Sequence, residues 1–137
     1  MSQRGPKPML EAIEGGLSAV PPAPGWLSGE AKAEWRKVVP KLIERGVLAD
    51  EDLSTVANYC TAVGQVQLCQ AILSAEEPFV QSSRSAPRPH PAYKIMFAAM
   101  SLAKSLAGDL GLTPTSRNRA MKIEAKDTDD GWSDLLS

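Results

Sequence analysis

Residues 90–122 read HPAYKIMFAAMSLAKSLAGDLGLTPTSRNRAMK, and two helices are written into them. His90 is able to cap a helix, and Pro91 suits the first helical position, where its missing N–H would have no helical partner anyway. The predicted helix runs to Leu110 and stops at Gly111, where glycine can take the left-handed conformation that closes a helix. Thr113 and Pro114 repeat the start signal, so a shorter helix is expected to follow to about Ala125. In the long helix Lys94, Ser101, Lys104, Ser105 and Gly108 form one narrow polar stripe, and nearly every other residue is apolar. A helix apolar most of the way round is buried on most sides. A chain of 137 residues can hardly surround it alone. Part of this surface, with Met96, Phe97, Met100 and Ala103, is therefore expected to meet another subunit.

Upstream, Trp26 and Leu27 precede Ser28, a good helix cap, and Glu30 follows in the first turn, where a carboxylate favours the positive end of the helix. This helix is expected to end at Arg45, before Gly46, with Ala31, Trp35, Val38, Val39, Leu42 and Ile43 turned inward. Pro40 lies inside it and predicts a kink near Lys37. Its outer face mixes Lys32, Arg36, Lys37 and Lys41 with Glu30, Glu34 and Glu44, the pattern of a solvated face. Asp50, Glu51 and Asp52 crowd the start of the next helix, whose apolar stripe includes Leu53, Val56, Cys60, Val63 and Leu68 and runs to about Leu73. The short connection from Gly46 to Ala49 makes the two helices antiparallel neighbours, or a helix-turn-helix crossing.

The fold class expected is therefore all-α: a small domain of about four helices over residues 28–125, with a helical hairpin and a long apolar helix. Residues 76–89 carry Pro78, Pro87 and Pro89 and read as a loop or short β-hairpin, with Phe79, Val80 and Gln81 extended. Residues 1–27 read as a flexible, proline-rich basic arm, and residues 126–137 as a flexible acidic tail. Arg4 and Lys7 in the arm look like groups that enter a DNA minor groove; the competing reading is a disordered tail with no DNA role. Arg117, Arg119 and Lys122 spread over a broad face of the last helix and suit phosphate; the competing reading packs Arg117 against the preceding helix and pairs it with Asp109. Trp132, Leu135 and Leu136 in the acidic tail resemble a peptide that folds into a partner's groove; the competing reading is a frayed terminus that docks its own Trp on the domain.

Charge is uneven although the net value is only −1. Residues 90–126 sum to +4 and residues 127–137 to −4, an asymmetry that suggests different partners for the two segments. Aromatics make up 5% of the chain, so the core must come from aliphatic side chains. The two cysteines, Cys60 and Cys69, lie on one helix roughly 13 Å apart along its axis, too far for a disulfide within that helix. The chain reads as cytosolic with reduced thiols. Lys94, Lys104 and Asp109 interrupt the apolar helix, so no membrane span is expected. The single histidine, His90, has no cluster of ligands near it in sequence, which argues against a metal site. With no phosphate loop and no nucleophile motif, neither cofactor nor catalysis is expected.

The stretch GDLGLTPTSRNR after an alanine- and methionine-rich helix, the run WLSGEAKAEWR, and the opening RGPKP together resemble the phage terminase small subunits. The resemblance spans roughly Arg4 to Met121. It departs from the family at two caps: His90 stands where members usually have Asn, and Ala49 where they have Thr. The resemblance implies a viral DNA-packaging protein of the host-cell cytoplasm that binds double-stranded viral DNA, assembles as a ring and recruits the large terminase subunit, which owns the ATPase and nuclease. On that reading Arg4, Lys7, Arg117, Arg119 and Lys122 engage DNA, the long helix makes ring contacts, and Trp132, Leu135 and Leu136 meet the large subunit. The alternative is a dimeric helix-turn-helix transcription regulator using the helices at 28–45 and 50–73. Against it stand the length of the second helix and its acidic start. A third reading is a structural adaptor without DNA contact.

Overall fold

A computed structural model describes residues 15–119. Three helices dominate: α1 (Gly29–Glu44), α2 (Leu53–Ala75) and α3 (Pro91–Asp109), with a short 3-10 turn at Asp50–Asp52 leading into α2. Between α2 and α3 lie two antiparallel strands, β1 (Phe79–Val80) and β2 (Arg88–Pro89), in register Phe79 to Pro89 and Val80 to Arg88. The fold is mostly helical, as expected, and the loop between α2 and α3 does close as a small hairpin. The last predicted helix is present as helical turns from Pro114 to Arg119, where the described residues end.

The helix ends follow local chemistry. Ser28 Oγ accepts from Ala31 N at 3.2 Å and opens α1. Gly46, at φ 69°, lets the chain leave it. Ala49 has no side-chain acceptor to cap the following turn, but the Asp52 carboxylate accepts from Ala49 N at 3.0 Å, which satisfies the other half of a capping box. At α3, His90 Nδ1 accepts from Ala92 N at 3.0 Å, so the imidazole acts where Asn, Asp or Ser commonly would. Its other nitrogen meets Glu76 Oε1 at 3.1 Å, tying the start of α3 to the end of α2. Gly111, at φ 73°, ends α3. Pro40 sits inside α1, which continues through it.

α2 is the central element: it packs against both α1 and α3, while α1 and α3 scarcely touch. The main core lies between α1 and the first half of α2 and contains Leu27, Trp35, Val39, Leu42, Leu48, Val56 and Cys60. Burying an aliphatic or aromatic side chain of this size contributes about 1.5–3 kcal/mol. A smaller cluster joins Cys69 near the end of α2 to Ala92 and Met96 at the start of α3.

Two expectations change. Residues 15–27 belong to no helix or strand but are anchored: Leu17 N donates to Leu48 O at 2.9 Å, Trp35 Nε1 donates to Pro21 O at 3.0 Å, and Leu27 is buried in the core. Residues 15–27 are therefore held against the domain and not part of a flexible arm, because Leu17, Ala23 and Leu27 pack on the core around Trp35; the rest of the arm expected over 1–27 lies outside the described residues. Second, α3 is buried on one side only: Ala92, Met96 and Ala99 are its buried residues. By length and composition alone the stretch Pro91–Arg119 would suffice to cross a membrane despite Lys94 and Lys104, a test that the core helix of a soluble protein also passes.

Candidate nucleic-acid interface

The turn that joins α1 to α2 and the turn that follows α3 face each other across an open groove of about 590 Å³. Leu42, Leu48 and Leu110 give it an apolar floor, and Arg45, Arg117 and Arg119 stand on its rim with Asp52 and Asp109. All three arginines are exposed. The local sequence fixes where they stand. Thr113 Oγ1 accepts from Ser116 N at 3.1 Å while Ser116 Oγ accepts from Thr113 N at 3.2 Å, a reciprocal cap that starts the helical turns carrying Arg117 and Arg119. Arg117 Nε donates to Thr113 O at 3.4 Å. Arg45 Nη1 donates across the groove to Gly111 O at 3.3 Å. Asp52 is engaged by Ala49 N. Among the described residues the one ion pair is His90 with Glu76, so Arg117 and Asp109 border the same groove without forming a bridge.

The predicted basic residues divide by location. Arg117 and Arg119 come together in this groove. Arg4, Lys7 and Lys122 lie outside the described residues, as do Trp132, Leu135 and Leu136. The reading of the sequence missed Arg45. It appears there only as the last residue of a helix with charges of both signs, and its neighbours across the groove are more than 60 positions away.

The residues proposed for subunit contact also divide. Met96 is only 5% exposed and belongs to the chain's own core beside Cys69, because its position falls on the strip of α3 that faces α2. Phe97 and Met100 are 59% and 43% exposed. Met100 and Ala103 line an apolar groove of about 400 Å³ along one flank of the α2–α3 pair, with Tyr59, Val63 and Val66. The opposite flank carries a second groove of about 410 Å³ lined by Ala62, Ala99, Leu102 and Leu106, residues not singled out from sequence.

Tyr59 Oη donates to Glu34 Oε2 at 2.9 Å. Burial, and then this hydrogen bond and the negative charge of Glu34, push the phenol well above its ordinary value. Burial, with a smaller contribution from Glu34, pushes the Cys60 thiol up to about 12. A thiol held in its neutral form is a poor nucleophile. No group of three or more metal-ligating side chains occurs among the described residues.

The sequence profile of the family described as phage terminase, small subunit, matches residues 31–127, well over half of the chain. The chain belongs to the phage terminase small-subunit family. Neither a curated protein nor a solved structure matches it. The match to the terminase small subunits takes in all of α2 and α3 and both sides of the arginine-rimmed groove, and it leaves Arg4, Lys7 and residues 128–137 outside. Membership supports a role in packaging phage DNA, in association with a large terminase subunit. Terminase small subunits are generally non-catalytic.

Proposed function

We propose that this terminase small subunit binds double-stranded viral DNA through Arg117, Arg119 and Lys122, aided by Arg4 and Lys7, and assembles as a ring in the host-cell cytoplasm. It brings the large subunit to the DNA through Trp132, Leu135 and Leu136 and has no catalytic activity of its own. The observation that supports the DNA site is the gathering of Arg45, Arg117 and Arg119 around one groove in a member of a DNA-packaging family. Each exposed arginine contributes modestly alone, but contacts repeated around a ring add through avidity and produce a steep dependence on salt. The ring reading is supported by the exposed apolar side of α3 and by two unlike apolar flanks on the α2–α3 pair, since a contact between unlike surfaces generates rings when its rotation closes. The regulator reading loses ground because α2 is packed between α1 and α3 and does not project as a recognition helix.

The test is binding of an Arg117→Ala, Arg119→Ala variant to duplex fragments of the viral genome across a salt series. Weaker binding with a shallower salt slope and an unchanged oligomer mass is the expected result. Retention of the DNA at the parental affinity overturns the assignment of this groove. A truncation lacking residues 127–137 is expected to lose stimulation of the large subunit's ATPase; full stimulation refutes the tail's role.

A further inference from the structure

We propose that the acidic C-terminal segment, residues 127–137, folds back into the arginine-rimmed groove of its own chain and competes there with DNA phosphate. The docking itself stands on the groove and the sequence; the competition rests on the DNA reading above.

Three observations lead to this occupant. The described chain ends at Arg119, which is itself on the groove's rim, so the segment that follows departs from the place it would occupy. Residues 120–126 can span at most about 25 Å when extended, which lets Asp127 reach either side of the groove. Charge is complementary: the groove presents Arg45, Arg117 and Arg119 against two carboxylates, one of them engaged by Ala49 N. The segment brings Asp127, Asp129, Asp130 and Asp134 with no basic residue. Its apolar content matches as well. A groove of about 590 Å³ floored by Leu42, Leu48 and Leu110 suits an indole or leucine side chain, and the segment carries Trp132, Leu135 and Leu136 among its aspartates.

Exposed carboxylate–guanidinium pairs are individually weak. They suffice here because a short tether gives an effective concentration in the millimolar range, so contacts too weak to hold a free peptide still close within one chain. The consequence is regulatory. While the segment occupies the groove, DNA meets three guanidiniums already paired. A partner that takes the segment elsewhere releases them, and by linkage DNA in the groove releases the segment to the partner.

The experiment introduces Thr55→Cys in the groove wall and Ser133→Cys in the segment of the full chain, then oxidises at low and at high salt. Cys60 and Cys69 are buried and stay out of the reaction. The expected result is a disulfide within one chain at low salt. It is lost near 1 M salt, where the screening length falls to about 3 Å, and lost when the four aspartates are changed to Asn. Absence of the link, a link that joins two chains, or a link indifferent to those changes overturns the inference and leaves the DNA reading standing. In parallel, the Asn-substituted chain is titrated with duplex DNA. A segment docked about nine-tenths of the time lowers affinity about tenfold, so neutralising it is expected to raise affinity by that factor. The gain is expected to vanish in the Arg117→Ala, Arg119→Ala background. An intact link with an affinity indifferent to those arginines supports the docking and overturns the groove's assignment to DNA.

Discussion

The Arg45 guanidinium donates to the Gly111 carbonyl at 3.3 Å, joining the end of α1 to the turn after α3 across 66 positions of sequence. It adds a polar link between two sides that Leu110 and Leu112, packed against the core of α1 and α2, already hold together. Its position is exposed, so Arg45→Ala is expected to change folding stability by less than about 1 kcal/mol. The same variant is expected to weaken duplex binding several-fold, and Arg45→Lys to recover only part of it, since an ammonium lacks the planar fork of donors. Denaturant titration and duplex anisotropy check the two halves separately. Parental DNA affinity in Arg45→Ala removes Arg45 from the interface.

Gly64 in α2 lies against the first turn of α1: a Cβ there would meet Ala31 N and Ser28 Oγ, each at 3.2 Å. The two helices approach this closely because neither side has bulk at the crossing. Gly64→Ala sets a gain in helix propensity of about 0.5–1 kcal/mol against that tight contact, and a small net change is expected. Gly64→Val adds two more carbons facing backbone and the Ser28 cap, and is expected to destabilise by about 2–3 kcal/mol. Thermal melts followed by circular dichroism read this directly. A Val variant as stable as the parent would mean the crossing has slack.

Stability is expected to fall in alkali. The Cys60 thiol ionises at about 12 in the folded chain against an ordinary value of 9.0, so the unfolded chain gives up this proton first. The contribution is whole below pH 9 and is lost as pH rises toward 12. Tyr59 acts in the same direction above its ordinary value of 10.0. Each group steepens the loss by up to about 1.4 kcal/mol per pH unit. Cys60→Ala is expected to flatten the profile between pH 9 and 12 in urea titrations, and native Cys60 is expected to resist iodoacetamide at pH 8. An unchanged slope, or rapid alkylation, contradicts the environment assigned to the thiol.

Elements governed by neighbours in sequence were legible, and those governed by distant contacts were not. Ser28, Gly46, Pro91 and Gly111 announce helix ends through backbone preferences that act within a few residues, and the structure has those ends. The strap at residues 15–27 gave no such sign, because its order comes from Leu48 O and the Trp35 indole, groups made available by folding. Arg117 and Arg119 were legible as a basic cluster. Their shared groove with Arg45 was not, since it exists only where two remote turns meet. Met96 was misread for a related reason. Periodicity shows that α3 is apolar nearly all round, but only packing decides which strip α2 covers.

That distinction gives the sharpest test of the assembly surface. Met96 and Phe97 are adjacent in sequence and opposite in exposure, at 5% and 59%, and Leu102 is 53% exposed. Lysine at Met96 places a charge in the chain's own core and is expected to unfold it, with loss of helical circular dichroism. Lysine at Phe97 and Leu102 meets no such barrier within the chain and is expected to leave helicity intact. Ile95, Phe97, Met100 and Leu102 are all exposed along α3, and exposed apolar surface gathered on one element marks an interaction site, so the Phe97→Lys, Leu102→Lys variant is expected to fall from a single high-mass species to smaller ones in light scattering. Because Pro91–Arg119 also meets the length and composition of a membrane span, the parent is tested against lipid vesicles by flotation. An oligomer untouched by both lysines, together with a parent that floats with vesicles, would transfer this face from a second copy of the chain to a bilayer. A drop in mass with no flotation keeps it with the second copy, because a bilayer-bound face has no reason to set the number of subunits in solution.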